Sequence, residues 1–395
     1  MLSSALLPLA LGLSCAPSSP QRTSPALPSA AKAKTLTVDC AGAGEYLDIV
    51  SAIEAADSGD TIEVAPCTYE GSVDFRGREV HIVATGGPEV TFIVATPDLP
   101  VVEAHRGEGP NTILEGFTLV GGGGAETSAI EEQFSALTLR EVVITGSAGL
   151  ATVYARSSMI RLENVWIDDT NTPAEGVVVQ GRRGALVIKD SLVECGAAGV
   201  GVQVEHGAAF FDGLTTNCPA GRGAEIFHAP GRIQRSVFSG LVHVENEDRS
   251  AETTVVEGAV FLGGVSVAVA SLEVHNAVFA GEGLTATAAT VTVGGGIFTG
   301  AACALQSSGG GSLRVEYSDF YENTTNNCSG ADPVGTSGNI DGNPLFTDLA
   351  GGDYRLQTGS SAINTGPTSG TYTDVDGSRN DMGAWGGPFQ LGGGW

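Results

Sequence analysis

Two adjacent aspartates, Asp168 and Asp169, end the short run VWIDD and are the first side chains in this chain that could act as an acid and a base. Two carboxylates can cleave a glycosidic bond when they lie roughly 5–9.5 Å apart across a bound sugar. Neighbouring residues of a strand point to opposite faces, so these two can pair only if a turn begins there. We therefore expect a solvated turn at this position, without a hydrolytic or lyase site.

A larger set of polar side chains recurs at similar positions in the segments VVVQGR, VQVEHG, AEIFHA and VHVENE. Aligned repeat upon repeat, these segments predict a polar strip on one face that suits a carbohydrate ligand. The candidate ligand-binding residues are Gln180, Gln203, Glu205, His206, Glu225, His228, His243 and Glu245. The alternative is an ordinary surface, because outward positions must be polar in either case.

The segment DVDGSRND contains oxygen ligands of the kind that calcium accepts. These candidate ligands are Asp374, Asp376, Ser378, Asn380 and Asp381. The segment lacks the glutamate at the twelfth position that completes an EF-hand loop. We prefer a tight turn with Arg379 near the acids, and so predict no metal or other cofactor, with calcium as the open alternative.

A short repeat from about residue 113 must position these side chains. Each copy has an apolar anchor, two or three polar or turn-prone residues, an apolar or aromatic pair, and then Gly, Asp or Asn. The copies include LEGFTLVG, LREVVITG, LENVWIDD, IKDSLVEC, FDGLTTNC, IQRSVFSG, VEGAVFLG, VHNAVFAG, VGGGIFTG and VEYSDFYE. Anchors recur about every 18–26 residues, which is a solenoid period. Because the β-branched runs are too short for helices, each period predicts one coil of three strands that pair in parallel with the next coil.

The expected fold is therefore all-β, a single right-handed parallel β-helix over residues 35–338. Its open ends need covers, because they expose strand edges and core. An amphipathic helix within residues 46–57 would cover the first coil, with Leu47, Val50 and Ile53 on one face and Ile49 and Ala56 beside it. Residues 339–395, where the repeat weakens, are predicted to form terminal coils and a cap.

The cysteines support this period independently. Neighbouring cysteines lie about one repeat apart in three pairs, Cys40 with Cys67, Cys195 with Cys218, and Cys303 with Cys328. Residues one coil apart stack at about 4.8 Å, and a disulfide needs Cα atoms roughly 4.4–6.8 Å apart. We therefore predict three disulfides between adjacent coils. Metal ligation is the rival interpretation, but the chain contains no CxxC pair.

The N-terminus predicts export. Residues 1–14 are apolar but too short to span a bilayer, as in a secretory signal peptide. The string LGLSC resembles a bacterial lipoprotein signal, which implies acylation at Cys15; the alternative is an ordinary signal peptide or a start codon placed elsewhere. Residues 15–34 are rich in Pro, Ser and Ala and predict a flexible tether.

Composition limits the partners. The chain carries 57 glycines and a formal net charge of −26. Such a surface repels nucleic acid, and repels polyanionic glycans unless a cation bridges them. We therefore expect no nucleic-acid partner, a polysaccharide as the possible ligand, and membrane contact through the lipid anchor alone. The oligomeric state is left open.

Two stretches resemble a known group of proteins. Residues 37–93, with GEYLDIVSAIEAADSGDTIEVAPCTYEGSVDF, resemble the first coils of pectin methylesterase-like and related right-handed β-helix proteins of the pectin-lyase-like superfamily. Residues 339–366 and 374–387 resemble the C-terminal segment of that group. The resemblance implies the fold and possible glycan contact along a stacked face. It implies no single activity, because this fold carries lyases, hydrolases, esterases and binding proteins.

The catalytic strings of these enzymes are missing. The chain contains neither the DFIFG-like and LGRPW-like segments of pectin methylesterases nor the GHG and RIK strings of polygalacturonases. VWIDD is similar to the VWIDH segment of pectate lyases, but Asp169 replaces the histidine and no RxPxxR follows. The leading hypothesis is thus a cell-surface or periplasmic lipoprotein that serves as a structural or glycan-contacting scaffold. The alternatives are a soluble exported form and a polysaccharide lyase, hydrolase or esterase.

Overall fold

The computed structural model describes residues 32–124, 127–149, 151–169, 176–196, 199–247 and 252–391. Within them the chain is an all-β parallel β-helix of about 12 turns with very little helix, which confirms the predicted fold class. The predicted signal peptide, Cys15 and most of the tether lie outside the described residues. No helix in the described part is long and apolar enough to cross a bilayer.

Each coil has three faces, which we name A, B and C in the order in which the chain passes through them. Face A contains Thr35–Val38, Thr61–Val64, His81–Ala84, Ile113–Glu115, Ala136–Arg140, Met159–Glu163, Gly231–Gln234, Thr290–Gly294 and Ser312–Glu316. Face B contains Thr68–Glu70, Phe92–Val94, Thr118–Val120, Val143–Thr145, Trp166–Asp169, Val237–Phe238, Ile297–Thr299 and Asp319–Tyr321. Four long strands bend and contribute to both faces: Ala185–Cys195, Ala208–Asn217, Thr253–Phe261 and Ser271–Ala280. Face C contains Val73–Asp74, Val102–Ala104, Ile130–Gln133, Ala151–Arg156, Val177–Arg182, Val200–Glu205, Arg222–Phe227, Leu241–Glu245, Val265–Ala268, Leu284–Thr287 and Leu305–Ser308.

The repeated octapeptide of the sequence is the corner between faces A and B. Its third residue has a positive φ in all ten copies, from 45° at Asp190 to 81° at Gly116. Asparagine at this position, as in Asn164 and Asn276, suits the left-handed region better than most side chains. The bend directs apolar side chains of both flanking strands into the core, so the repeat marks one corner per coil.

Five phenylalanines stack on one another inside face B of the later coils. They are Phe238, Phe261, Phe279, Phe298 and Phe320. The centroids of successive rings lie 5.7, 5.2, 4.4 and 5.0 Å apart. All five side chains are buried, and offset-stacked aromatic pairs contribute beyond their buried area. We therefore expect this column to stabilise the C-terminal half of the coil stack.

A helix covers the first coil, as predicted, but with a partly different buried face. It runs over Ile49–Ala55, and the Asp48 carboxylate caps it by accepting the Ser51 N–H over 2.7 Å. The residues that it buries are Ile49, Ala52 and Ile53. Ile53, Ile49 and Ala56 are buried as predicted, but Leu47 is 62% exposed and Val50 only half-buried, so the prediction was wrong for these two residues. Leu47 lies outside the helix because Asp48 is the N-cap, so its side chain is not part of the buried helical face.

The three predicted disulfides are present. Cα–Cα distances are 6.4, 4.9 and 6.0 Å for Cys40–Cys67, Cys195–Cys218 and Cys303–Cys328. The sequence separations are 27, 23 and 25 residues. Each bridge therefore joins points about one coil apart in the chain, which confirms the register that the cysteine spacing predicted.

Removing the central bridge tests its contribution. We expect the double variant Cys195→Ala, Cys218→Ala to lose about 3 kcal/mol of unfolding free energy, because the unfolded chain is no longer constrained by the closed loop. Denaturant unfolding of both proteins under non-reducing conditions measures this difference. Peptide mapping of the wild type is the control, and a cross-linked peptide that joins Cys195 to a cysteine other than Cys218 would contradict the pairing.

Part of the C-terminal segment, residues 339–391, packs against the outside of face B. Four outward-facing apolar residues of that face are buried beneath it: Val237, Val260, Val278 and Ile297. The segment contributes Tyr354, Ala362, Met382, Ala384 and Leu391 to this second hydrophobic cluster. Its two strands, Phe346–Asp348 and Asp353–Leu356, pair antiparallel with each other and form a sheet separate from those of the coils. Face B is thus buried on both sides in the later coils.

Candidate functional site

The predicted polar strip lies on face C, where outward positions of successive coils stand directly above one another. Register places Gln180, Gln203, Glu225 and His243 in one row, which we call row C1. The earlier members of row C1 are Asp74, Glu103, Glu131 and Tyr154. Because neighbouring strands are about 4.7–4.9 Å apart, row C1 offers one side chain per coil at that interval.

The remaining predicted residues flank row C1. A second outward row, row C2, contains Gln133, Arg156, Arg182, Glu205, Phe227 and Glu245. His206 and His228 lie at the corner that follows face C, where both have a positive φ. Their rings stack, with centroids 4.8 Å apart. The structure therefore brings the eight predicted residues to one side of the coils but spreads them over three rows.

The central part of row C1 is hydrogen-bonded within itself. The Gln180 side-chain amide donates to Gln203 Oε1 over 2.6 Å, and the Gln203 amide donates to Glu225 Oε2 over 2.7 Å. Glu225 also pairs with Arg222 and is only 3% exposed. These three predicted residues are thus occupied in holding adjacent coils together, which leaves few of their donors and acceptors for a ligand.

A groove lies over the preceding coils of the same face. Its volume is about 590 Å³, within the size range of ligand sites in proteins. It is lined by Thr127, Ser128, Glu131, Gln133, Ala151, Tyr154, Arg156, Gly176, Val177, Gln180 and Arg182. Of the predicted strip, only Gln180 reaches this groove.

Two arginines dominate the charge of the groove. Arg156 and Arg182 are register partners on adjacent strands, so their positive charges stand one coil apart. Arg182 Nε lies 2.7 Å from Glu205 Oε2, and hydrogen bonding to that carboxylate raises the pKa of Arg182. Among the described residues Arg156 has no ion-pair partner within 4.0 Å. The groove therefore presents one uncompensated guanidinium in a strongly acidic protein.

The groove also contains groups that suit hydroxyls. Tyr154 projects beside Arg182, and its phenol lies close enough to contribute to the raised pKa of that arginine. Glu131 accepts the Ser128 N–H over 3.0 Å, which leaves its second carboxylate oxygen for other donors. An aromatic ring, planar amides, a carboxylate and guanidinium groups along one groove can bind a sugar chain and an anionic substituent on it.

Sequence reasoning missed most of this groove. The segments IEEQ, ATVYAR and VVVQGR stand in register on face C, but only the last entered the alignment that predicted the strip. The signal was the shared spacing of Tyr154 with Arg156 and of Gln180 with Arg182. Loops of different length between these segments hid it, because they change the sequence distance from one coil to the next.

The two aspartates of VWIDD do not form a turn, which corrects the expectation. They end the strand Trp166–Asp169, with Asp168 half-buried and Asp169 only 2% exposed. The Thr152 hydroxyl donates to the Asp169 carboxylate inside the coil. As expected for neighbours in a strand, the two carboxylates face opposite sides, so they do not form an acid–base pair across one ligand.

The DVDGSRND segment is a turn in which backbone N–H groups donate hydrogen bonds to the carboxylates. The Asp374 carboxylate accepts the N–H groups of Asp381 and Gly387. Arg379 donates to the carbonyl oxygens of Thr365 and Gly366, so its predicted position beside the acids was wrong. In the described part of the chain no three His, Cys, Asp or Glu side chains are grouped to hold a metal ion.

Comparisons with known proteins identify no family and no function for this chain. No protein-family model matches the chain, and no curated protein sequence matches it. Among solved structures, the crystal structure of pectate lyase Pel9A is similar at 12% identity, with a TM-score of 0.31, over 89% of this chain and 96% of that one. No residue role passes from that enzyme to this protein.

Proposed function

We propose that this protein is an exported β-helix that binds an acidic polysaccharide in the groove of face C. The observation that carries the proposal is the pair Arg156 and Arg182, in register on adjacent strands. The net charge of −26 opposes a polyanion on the rest of the surface, so these two guanidinium groups would supply the local attraction. Like charges that stand directly beside each other are unfavourable. An anionic ligand would relieve this repulsion. Among the described residues Glu205 already pairs with Arg182, but no acid pairs with Arg156.

The remaining lining supports a sugar chain rather than a small anion. The groove extends over three successive coils, so a polymer placed along the axis would contact outward side chains of each of them. Tyr154 offers an aromatic surface, and Gln133 offers an amide that both donates and accepts, whereas Gln180 has already committed one of its two amide hydrogens to Gln203. The proposal places this groove on a body held at the cell surface through acylated Cys15.

Arg156 provides the test. We expect Arg156→Gln to weaken binding of polygalacturonate or alginate at least about tenfold, equivalent to about 1.4 kcal/mol, and to reduce the salt dependence of binding. Isothermal titration calorimetry at two salt concentrations measures both. Arg161→Gln is the matched control, because Arg161 lies on face A and the charge change is the same. Equal affinities in the wild type and Arg156→Gln, or no binding of any acidic polymer, would reject the proposal.

An absorbance assay for unsaturated uronate on the same polymers distinguishes a binding protein from an enzyme. Glu131 and Tyr154 are register partners in row C1, with Arg156 two residues further along the strand. A base and a cation placed together are what eliminative cleavage of a uronate requires. Release of unsaturated products that disappears in Glu131→Gln would replace the binding function by a lyase. We expect binding without such release.

A further inference from the structure

An aromatic platform stands on face B, on a different side of the coils from the groove of face C. Trp166 is 45% exposed, which is unusual for a tryptophan in a sheet. Its indole Nε1–H donates to Glu194 Oε2 of the next coil over 3.2 Å. This hydrogen bond fixes the edge of the ring, so a flat apolar surface is held in place and open to solvent.

The indole forms part of a pocket of about 290 Å³. Its lining includes Pro88, Val143, Asn164, Trp166, Asp190 and Leu192. Val143 and Leu192 are the register partners of Trp166, so three successive coils provide an apolar floor. Glu141, Asn164 and Asp190 stand along one edge of this floor, at the left-handed corner between faces A and B.

The polar edge of this pocket is available to a ligand. Among the described residues, neither the Asn164 side-chain amide nor the Glu141 carboxylate has a hydrogen-bond partner. Asp190 is 67% exposed and only distantly paired with Arg235, at 3.8 Å. The edge therefore offers an amide that donates and accepts, together with carboxylates that accept.

This apolar floor continues an interface that the protein already uses. The row of Val143, Trp166 and Leu192 continues by register through Thr215 to Val237, Val260, Val278 and Ile297. The C-terminal segment buries those last four residues. Trp166 and its neighbours occupy the part of the row beyond this cover, where the outward-facing side chains remain accessible.

We propose that this pocket binds a neutral pyranose, stacked on the indole of Trp166. The apolar C–H face of a sugar ring matches a fixed aromatic surface, and its hydroxyls match the amide and carboxylates along the edge. The acids Glu141, Asp190 and Glu194 oppose a uronate here. The pocket is thus complementary in charge to a neutral sugar, whereas the groove of face C has guanidinium groups that suit an acidic one.

Calorimetric titration with neutral hexasaccharides of glucose, xylose, mannose and N-acetylglucosamine tests this inference. We expect at least one of them to bind, with an affinity that falls at least about tenfold in Trp166→Ala and largely recovers in Trp166→Phe. Phe210→Ala is the matched control, because Phe210 is an equally exposed aromatic residue on face A, 46% exposed. Arg156→Gln is expected to leave this affinity unchanged, so the two binding sites can fail independently.

Two results would overturn the inference. The first is that none of the four hexasaccharides binds, or that Trp166→Ala binds as tightly as the wild type. The second is a concentration-dependent dimer of the wild type, seen by sedimentation, that Trp166→Ala abolishes. That result would identify the surface as a contact between two copies of the chain.

Discussion

Replacing Glu132 by glutamine is expected to stabilise this protein at pH 8 by on the order of 4 kcal/mol, with little change at pH 4.5. Glu132 is fully buried, and among the described residues no group donates a well-formed hydrogen bond to its carboxylate, although the nearby Leu137 N–H lowers its pKa in part. Burial raises the pKa of Glu132 from 4.5 to about 9, and the negative charge of Glu108 adds to the rise. Between pH 4.5 and about pH 9 the Glu132 carboxyl loses its proton in the unfolded chain but keeps it in the folded protein. Folding therefore becomes less favourable as the pH increases.

Glu108 shows why Glu132 is the exception. It is also buried, but it accepts the N–H groups of Gly77 and Arg106 over 2.8 Å each and the Ser135 hydroxyl over 2.7 Å. Burial alone would raise the pKa of Glu108, but the hydrogen bonds outweigh it and lower that pKa overall. Glu108 is therefore ionised at neutral pH, whereas Glu132 keeps its proton.

The measurement is the free energy of unfolding between pH 4.5 and pH 9. Wild type and Glu132→Gln should have similar stability at the acidic end and diverge as the pH rises, because glutamine has no proton to release. Glu131→Gln is the matched control, since Glu131 lies on the same strand as Glu132 but points outward into the groove. If the Glu132→Gln and wild-type curves run parallel across the whole range, the buried acid is not the cause.

The position of Glu132 could not be predicted from its sequence. The strand Ile130–Gln133 has the sequence IEEQ, with burial alternating from Ile130 inward to Gln133 outward. Because three of these four residues are polar, the sequence does not show which alternate positions face inward. It therefore does not say which of the two glutamates faces the core. Pairing with Val102 and Val153 in the neighbouring coils sets the phase. The same pairing places Glu131 and Gln133 in the groove.

The fold and the disulfides were predictable because both depend on the coil period. The repeated octapeptide marks one left-handed corner per coil, which chain geometry enforces in every copy. The cysteine pairs needed only the same period and the spacing between adjacent strands. The groove depended instead on lateral alignment across loops of unequal length. Such an alignment has no local sequence signal.

The cover on face B had only a partial signal in the sequence. The runs SVFSG, AVFLG, AVFAG and GIFTG place apolar residues at consecutive positions, where a strand with one solvated face would alternate. Val260 and Phe261 are accordingly both buried, the first under the C-terminal segment and the second in the core. Consecutive apolar residues are thus compatible with a second layer but do not predict one by themselves, because Val165, Trp166 and Ile167 are also consecutive and Trp166 is 45% exposed.

The second large effect is expected at the centre of the phenylalanine column. Phe279→Ala should lower the free energy of unfolding by about 3–5 kcal/mol, because it removes a fully buried ring and leaves a cavity. Phe279 stacks on Phe261 at 5.2 Å and on Phe298 at 4.4 Å, so the substitution removes two ring contacts. Phe238 ends the column with one ring neighbour at 5.7 Å, and Phe238→Ala should cost less.

Denaturant unfolding and hydrogen exchange together separate a local effect from a global one. Each coil of a solenoid contacts mainly its neighbours, so the Phe279→Ala cavity should reduce amide protection in the later coils, around Thr253–Phe261 and Ile297–Thr299, more than near the N-terminal helix. Phe210→Ala, at an exposed position, should change stability by only about 0.5 kcal/mol. A loss in Phe279→Ala no larger than in Phe210→Ala would mean that the column does not hold this half of the protein. A uniform loss of protection along the whole stack would instead show that its coils unfold as one cooperative unit.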